Sequence, residues 1–163
     1  MAAEDERAYF FYARDEQDTS RLAAFLAESS GPGSVIAVDG ELGAGKTRFS
    51  QAFARHAGVE GTVSSPTFTL IKEYQAAAWP LYHMDMYRLQ IEEAEELGLD
   101  EYLYGEGVTI IEWAGRIRDL LPDQRLDIYI ENTGGTSRVF RLAPLGSSCR
   151  EWCRILLLRG EVQ

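Results

Sequence analysis

Basic side chains are scarce in this sequence. Its 163 residues include 16 lysine and arginine residues against 26 aspartate and glutamate residues, which gives a formal net charge of −10 at pH 7. Broad binding to a nucleic-acid backbone needs clustered lysine and arginine, so the composition argues against this class of function. We therefore expect any connection with RNA to run through a partner protein.

Long apolar runs are missing as well. No apolar stretch approaches the roughly 20 residues that span a bilayer, which argues against a membrane protein. The N-terminal segment MAAEDERAYFF is acidic where a secretory signal is basic, and it lacks the apolar stretch of such a signal. These two absences predict a cytoplasmic protein. The length predicts one domain, residues 1–163.

Cysteine occurs only at Cys149 and Cys153. The two lie four residues apart in SSCREWCRILLL, so they face the same side of a predicted helix. Because the sequence offers no matching histidine or cysteine elsewhere, a zinc site is disfavoured. We predict two reduced structural thiols.

Predicted strands and helices alternate along the first part of the chain. Apolar patterning predicts strands at 8–13, 35–40, 68–74, 81–84 and 108–111, helices at 18–28, 47–57 and 113–121, and a final amphipathic segment at 151–158. RLDIYIEN and SRVFRLA flank the turn TGGT as a hairpin. This order predicts an α/β fold of three layers, with a mostly parallel central sheet and antiparallel edge strands.

An acidic run occupies residues 92–106, with seven acidic side chains and no basic one. We interpret it as a solvated helix followed by a turn, and an interaction patch is the alternative.

The segment GELGAGKT, Gly40 to Thr47, satisfies the pattern G-x-x-x-x-G-K-[ST] and lies between a predicted strand and a predicted helix. Gly43 and Gly45 allow the backbone to turn its N–H groups towards phosphate oxygens, and the following helix adds its positive end. Lys46 is expected to neutralise the β and γ phosphates, and the Thr47 hydroxyl to bind Mg²⁺. The alternative is a glycine-rich turn with an exposed lysine. The segment predicts a P-loop NTPase.

Two carboxylates, Asp85 and Glu112, each end an apolar predicted strand. Either residue alone would also suit a helix N-cap or the surface. Beside a phosphate loop, a role at the metal is favoured, because Mg²⁺ takes one or two protein carboxylates and keeps several waters. One would hold the metal and the other would orient the attacking water, and the sequence leaves open which does which.

The neighbours of Asp85 in WPLYHMDMYRL receive different interpretations. Met84 and Met86 are expected to face the core or the sheet surface, and His83 and Arg88 either to support the site from behind or to face a partner. Thr67, in SSPTF, is placed to reach the γ-phosphate or Mg²⁺, and a hydroxyl-stabilised turn before the next strand is the alternative.

The motifs of this sequence, taken together, resemble those of the TsaE family of bacterial P-loop ATPases. DGELGAGKT, SSPTFTLIKEY, YHMDMYRL, EEAEELGLDEYL and IIEW occur in the order and approximate spacing seen in that family. The resemblance covers roughly residues 15–130. The phosphate loop is shared by very many proteins, whereas H-x-D-x-Y-R followed by a later E-W is much more selective.

The resemblance implies a function. TsaE-like proteins bind and slowly hydrolyse ATP with Mg²⁺, in a complex with TsaB and TsaD that makes threonylcarbamoyladenosine in tRNA. TsaD performs the transfer, and hydrolysis by the TsaE-like subunit is expected to reset the complex for repeated turnover. We therefore expect this protein to contact tRNA only indirectly, through the complex.

The resemblance also implies which residues form the site. It makes Asp85 and Glu112 the acidic pair for hydrolysis, with Thr47 as their companion at the metal. The expected nucleotide-binding residues are Gly43, Ala44, Gly45, Lys46, Thr47, Arg48, Trp113, Gln17, Thr19, Thr67 and Arg138, with Gln17 and Thr19 on the adenine side.

Two positions depart from the family pattern. Glu41 replaces a common aspartate inside the loop, where mainly the backbone contributes. Gly115 stands where an acidic residue or glutamine is often found, which puts side-chain contacts beyond Trp113 in doubt.

Three other functions are alternatives to this one. A small-molecule kinase needs an arginine-bearing lid, and the arginines here are scattered rather than clustered after a helix pair. A GTPase is disfavoured because the guanine-reading motif N-K-x-D is missing. A regulatory module that uses ATP only to order its surface is the third alternative.

Overall fold

In the computed structural model, which describes residues 7–64, 66 and 70–163, seven strands form one mixed β-sheet. In chain order the strands are β1 Tyr9–Ala13, β2 Val35–Gly40, β3 Ile71–Gln75, β4 Pro80–Asp85, β5 Val108–Glu112, β6 Arg125–Gly134 and β7 Ser137–Leu145. Across the sheet the order is β1-β7-β6-β2-β5-β4-β3. Strands β6, β2, β5 and β4 pair in parallel, and the pairings of β3, β7 and β1 are antiparallel. The predicted parallel centre and antiparallel edges are therefore confirmed.

Helices cover both faces of this sheet. They are α1 Glu16–Ser29, α2 Lys46–His56, α3 Ile91–Glu96, α4 Leu99–Leu103, a 3₁₀ helix Ala114–Leu120, and α5 Ser147–Leu158. Successive side chains of β2 point to opposite faces, so Ile36 and Val38 join the apolar cluster under α1, α2 and α5, and Val35 and Ala37 join the cluster under α3, α4 and the 3₁₀ helix. The sheet is thus the middle of three layers, as predicted.

The first helix begins two residues before its predicted start. Asp15 has an extended backbone, and its side chain accepts a hydrogen bond of 2.9 Å from the Asp18 N–H. This is an N-cap, which satisfies one of the unpaired N–H groups at the start of a helix. The residues directly after β1 therefore form the beginning of α1. The predicted range 18–28 was too short at its N-terminal end.

Three other elements differ from their predicted form. The acidic run folds as two short helices, α3 and α4, because Gly98 breaks it with a φ of 69°. Its acidic side chains are exposed and Ala94, Leu99 and Leu103 are buried, which agrees with the solvated interpretation. The helix predicted over 113–121 is a 3₁₀ helix. Strand β3 starts at Ile71, and residues 68 and 69 lie outside the described part of the chain.

The described helices include none that is long and apolar enough to cross a membrane.

The cysteines lie on α5 as predicted, free and buried against the sheet. Burial raises the pKa of both thiols to about 12. Since the thiolate is the reactive form, neither Cys149 nor Cys153 is expected to react with iodoacetamide in the folded protein at about pH 8. Mass spectrometry after a timed exposure should find the chain unmodified, and unfolding in urea should yield two adducts. Equal rates in both conditions would contradict the packing of α5.

Candidate active site

The phosphate loop connects β2 to α2. Gly43 and Gly45 have φ values of 81° and 108°, a backbone conformation that favours glycine over other residues. Gly45 is the residue before α2, and no side chain caps the helix there. The N–H groups of the first turn of α2 are therefore left for another acceptor, and the positive end of the helix dipole points at the same place.

Lys46, the first residue of α2, is almost completely buried beneath the loop. Its Nζ donates to the carbonyl oxygens of Gly40 at 2.6 Å and Glu41 at 2.8 Å, and lies 3.9 Å from the centre of the Trp113 ring. Burial lowers the pKa of Lys46, and the carboxylates of Glu112, Asp39 and Asp85 oppose that shift. The ammonium is thus held by backbone oxygens and an aromatic face, within the field of three carboxylates.

Glu112 ends β5 and receives contacts at both carboxylate oxygens. The Thr47 hydroxyl donates to Oε1 at 2.7 Å, and Nε2 of His83 lies 2.5 Å from Oε2. A hydroxyl that donates its proton keeps two lone pairs free, so Thr47 can face a cation while it stays bonded to Glu112. The sequence predicted Thr47 at the metal together with Asp85 or Glu112, and the structure brings Thr47 into contact with Glu112.

Asp85 ends β4 directly beside Glu112 in the parallel register. It is buried, its N–H donates to the carbonyl of Leu70, and its Oδ1 accepts from the Tyr87 N–H at 2.9 Å. Met84 and Met86 on either side are fully buried, as predicted. The alternation of side chains therefore turns Asp85 towards the site, while its neighbours Met84 and Met86 pack in the core.

One cavity of about 380 Å³ gathers most of these side chains. Its lining comprises Leu42, Gly43, Gly45, Lys46, Thr47, Arg48, Asp85, Tyr87, Arg88, Glu112, Trp113 and Arg138. Among the described residues there is no group of three or more histidine, cysteine, aspartate or glutamate side chains that could enclose a metal by itself. The Thr47 hydroxyl and the carboxylates of Asp85 and Glu112 suit Mg²⁺, which is held by one or two carboxylates together with phosphate and water oxygens.

A second cavity of about 330 Å³ adjoins the first, and Gly45, Arg48 and Arg138 line both. It lies between α1, α2 and the β6–β7 turn, with Thr19 and Ala44 in its lining. Arg48 pairs with Glu16 across this region. The predicted adenine-side residue Thr19 is therefore at a cavity next to the phosphate loop.

Arg138 fastens the hairpin to the phosphate loop. Its Nε donates to the Ala44 carbonyl at 2.7 Å, and its Nη1 donates to the carbonyls of Gly135 and Ser137 and to the side chain of Asn132. Most of its hydrogen bonds are thus spent on backbone oxygens. Arg138 thus makes a structural contact that the sequence did not indicate, and its nucleotide contact stays a prediction.

One predicted position lies at neither cavity. Gln17 is exposed on the first turn of α1 and does not line either cavity. Thr67 lies outside the described residues. Arg88 is exposed and lines the first cavity, whereas His83 is buried against Glu112. The same role was predicted for both residues, but their surroundings differ.

Comparison with known proteins identifies the family. The family model described as "Threonylcarbamoyl adenosine biosynthesis protein TsaE" matches residues 13–140. The tRNA threonylcarbamoyladenosine biosynthesis protein TsaE of Bacillus subtilis strain 168 is 44% identical over 140 residues, which make up 86% of this chain and 88% of that protein. The chain belongs to the TsaE family.

Two further similarities agree with this assignment. The TsaE protein of Synechocystis sp. strain PCC 6803 is 39% identical over 124 residues, or 74% of this chain and 78% of that protein. The crystal structure of YdiB from Bacillus subtilis matches with a TM-score of 0.82 at 36% identity, over 95% of this chain and 97% of that one. The P-loop NTPase fold predicted from the sequence is thereby confirmed.

Gly115 is one of the two positions noted above as departures from the family pattern, and the structure gives a local reason for a glycine there. The Gly115 N–H donates to both carboxylate oxygens of Asp39, at 3.0 and 3.1 Å. A Cβ at this position would lie 3.4 Å from Asp39 Oδ1. Burial raises the pKa of Asp39, the nearby Asp127 adds to this, and the Gly115 N–H and Lys46 oppose it. An acidic side chain at position 115 would lie against the Asp39 carboxylate, whose negative charge is already disfavoured by burial.

We expect Gly115→Glu to lower the free energy of unfolding by about 1 kcal/mol or more, because it places a carboxylate against Asp39. Chemical denaturation measures the change. Gly115→Ala is the matched control and should cost less, since its Cβ only reaches ordinary contact distance. Adding Asp39→Asn should reverse most of the loss in Gly115→Glu. An equal loss in the alanine and glutamate variants would contradict the charge argument.

Proposed function

We propose that this TsaE-family protein is a Mg²⁺-dependent ATPase of tRNA threonylcarbamoyladenosine biosynthesis, acting in the cytoplasm. The family assignment supports the pathway. The ATPase activity is supported by one observation above all: Lys46, Thr47, Asp85 and Glu112 line a single cavity at the mouth of the phosphate loop. The adjoining cavity beside Thr19 suits the nucleoside part of ATP.

The residues of the chain divide the work of binding. The loop N–H groups and the start of α2 hold phosphate oxygens, and Lys46 supplies the positive charge opposite them. To do so its Nζ would exchange the carbonyl oxygens of Gly40 and Glu41, to which it donates in this structure, for phosphate oxygens. Trp113, whose ring covers Lys46, is the side chain placed to respond to that exchange.

Thr47, Glu112 and Asp85 form the acidic end of the cavity. Thr47 and one of the carboxylates would hold Mg²⁺, and the other carboxylate would orient the attacking water and accept its proton. Bound Mg²⁺ supplies charge neutralisation at the phosphates and a fixed frame for in-line attack. Asp85 and Glu112 lie side by side at two strand ends, so either residue suits either role.

The partners in this proposal are the TsaB-like and TsaD-like proteins. TsaD transfers the threonylcarbamoyl group to tRNA, and ATP hydrolysis by this chain resets the TsaB–TsaD complex for another cycle. The net charge of −10 is consistent with contact to tRNA only through the complex.

Lys46→Ala should weaken ATP binding by about 10–100-fold, because it removes a charged hydrogen-bond donor opposite the phosphates. Titration with a fluorescent ATP analogue measures the affinity. Lys72 is the other of the two lysines in the sequence and lines neither cavity, so Lys72→Ala is the matched control. Similar affinities for the Lys46 variant and the wild type would contradict the phosphate role.

Asp85→Ala and Glu112→Ala should each lower kcat for ATP hydrolysis by roughly 100-fold or more while the protein stays folded, since each removes a group from the reacting end of the site. Phosphate release and circular dichroism check the two parts. The matched controls are Asp119→Ala and Glu131→Ala, at exposed positions. Normal hydrolysis by both site variants, or unfolding of either, would favour purely structural carboxylates.

The wild-type chain should hydrolyse ATP slowly alone and faster with the TsaB-like and TsaD-like proteins present. ATP turnover measured with and without both partners tests this, and co-purification with ATP, ADP or no nucleotide shows which state binds them. Unchanged turnover in the complex would contradict the resetting role. Phosphate transfer to an added small molecule would instead favour a kinase.

A further inference from the structure

His83 is not a predicted ligand, yet it makes the shortest contact with Glu112, one of the two carboxylates predicted at the metal. It lies on β4 with 1% of its surface exposed, and its Nε2 is 2.5 Å from Oε2 of Glu112 on the neighbouring strand. The Thr47 hydroxyl occupies the other oxygen, Oε1. Glu112 is therefore held at both oxygens, from the phosphate-loop helix on one side and from the sheet on the other.

The contact defines the tautomer of His83. A carboxylate oxygen accepts, so Nε2 is the nitrogen that carries the proton in this contact, and in that tautomer Nδ1 is an acceptor. Nδ1 is buried and has no hydrogen-bond partner among the described residues. An unpaired buried nitrogen costs free energy that a leucine in the same place would not cost. Packing alone therefore does not explain a histidine here, and the donation to Glu112 does.

A free glutamate carboxylate rotates easily, because its last torsion is broad and nearly two-fold. Held at Oε2 by His83, the Glu112 carboxylate keeps Oε1 turned towards Thr47. Residues behind a metal ligand commonly act in this way, by fixing the orientation of the group that touches the metal.

We propose that His83 is a positioning residue that fixes the Glu112 carboxylate as the one that holds Mg²⁺ together with Thr47, the side chain that Glu112 contacts. This inference rests on the proposed ATPase function and adds a residue to it. His83 touches neither ATP nor the metal, and its whole effect passes through Glu112.

Three substitutions separate this role from packing. The amide nitrogen of His83→Gln is as many bonds from the backbone as Nε2, so it can still donate to Glu112. The amide of His83→Asn is too short, and His83→Leu has no donor. ATP affinity is measured once with Mg²⁺ and once with EDTA. The ratio of the two affinities is the gain in ATP affinity that the metal provides. Leucine and asparagine should reduce this gain by about 10–100-fold and glutamine much less, with metal-free affinity unchanged in all three.

A double-mutant cycle with Glu112→Ala tests whether His83 acts through Glu112. In the Glu112→Ala background, His83→Leu should cause no further loss of the metal-dependent gain. A further loss, or an equal loss of affinity with and without Mg²⁺, would overturn the positioning role and leave the ATPase proposal standing. A wild-type protein whose ATP affinity does not depend on Mg²⁺ would overturn both. If the leucine variant does not fold, the glutamine and asparagine pair carries the same comparison.

The ligand-free protein offers a readout that does not depend on ATP. The sequence contains two histidines, so ¹⁵N-labelled histidine gives two sets of ring signals in NMR spectra. His83 should show the tautomer protonated at Nε2, and Glu112→Gln should change its ring shifts. Exposed His56, which contacts Ser20, is the internal control and should keep its shifts. An Nδ1-protonated His83, or one unaffected by Glu112→Gln, would overturn the inference.

Discussion

The parallel pairing of three adjacent strands is the constraint on which this site depends. Strands β2, β5 and β4 lie side by side and run in one direction, so their carboxyl ends share an edge of the sheet. The phosphate loop leaves β2 at that edge, and Asp85 and Glu112 end the other two strands there. Each strand is buried on both faces, which fixes its register. The polar ends are therefore positioned by the apolar middles.

Near these strand ends, two residues other than glycine adopt backbone conformations that are usually found at glycine. Leu70 and Trp113 are the two non-glycine residues with positive φ in the part of the chain that the structure describes, at 67° and 58°. Such conformations cost of order 1–3 kcal/mol each, and they persist where neighbouring contacts hold them. The Leu70 carbonyl accepts from the Asp85 N–H, and the Trp113 ring lies against Lys46 and Tyr87. The strain thus borders the two carboxylates directly.

Much of the fold was predictable because its signals are local. The unbroken apolar run of β2 and the glycines after it predict a buried strand and a phosphate loop, and both are found at the predicted residues. The start of α1 was missed because apolar patterning marks the buried face of a helix and not its cap, Asp15. A helix after Glu112 was predicted, but its 3₁₀ form was not, because the residue type gives no sign of the positive φ at Trp113 that precedes it. Both errors concern backbone geometry at an element end, where side-chain patterning is weakest.

The sequence by itself determined the chemistry of the site: the loop, its lysine and threonine, and two carboxylates at strand ends. It also placed His83 two residues before Asp85, and thus on the same face of β4. Only the tertiary structure decided that His83 contacts Glu112 rather than solvent or a partner, that Arg138 braces the loop, and that Gln17 stays outside both cavities. These outcomes depend on contacts between residues distant in sequence, and spacing along one chain carries no information about which strands become neighbours.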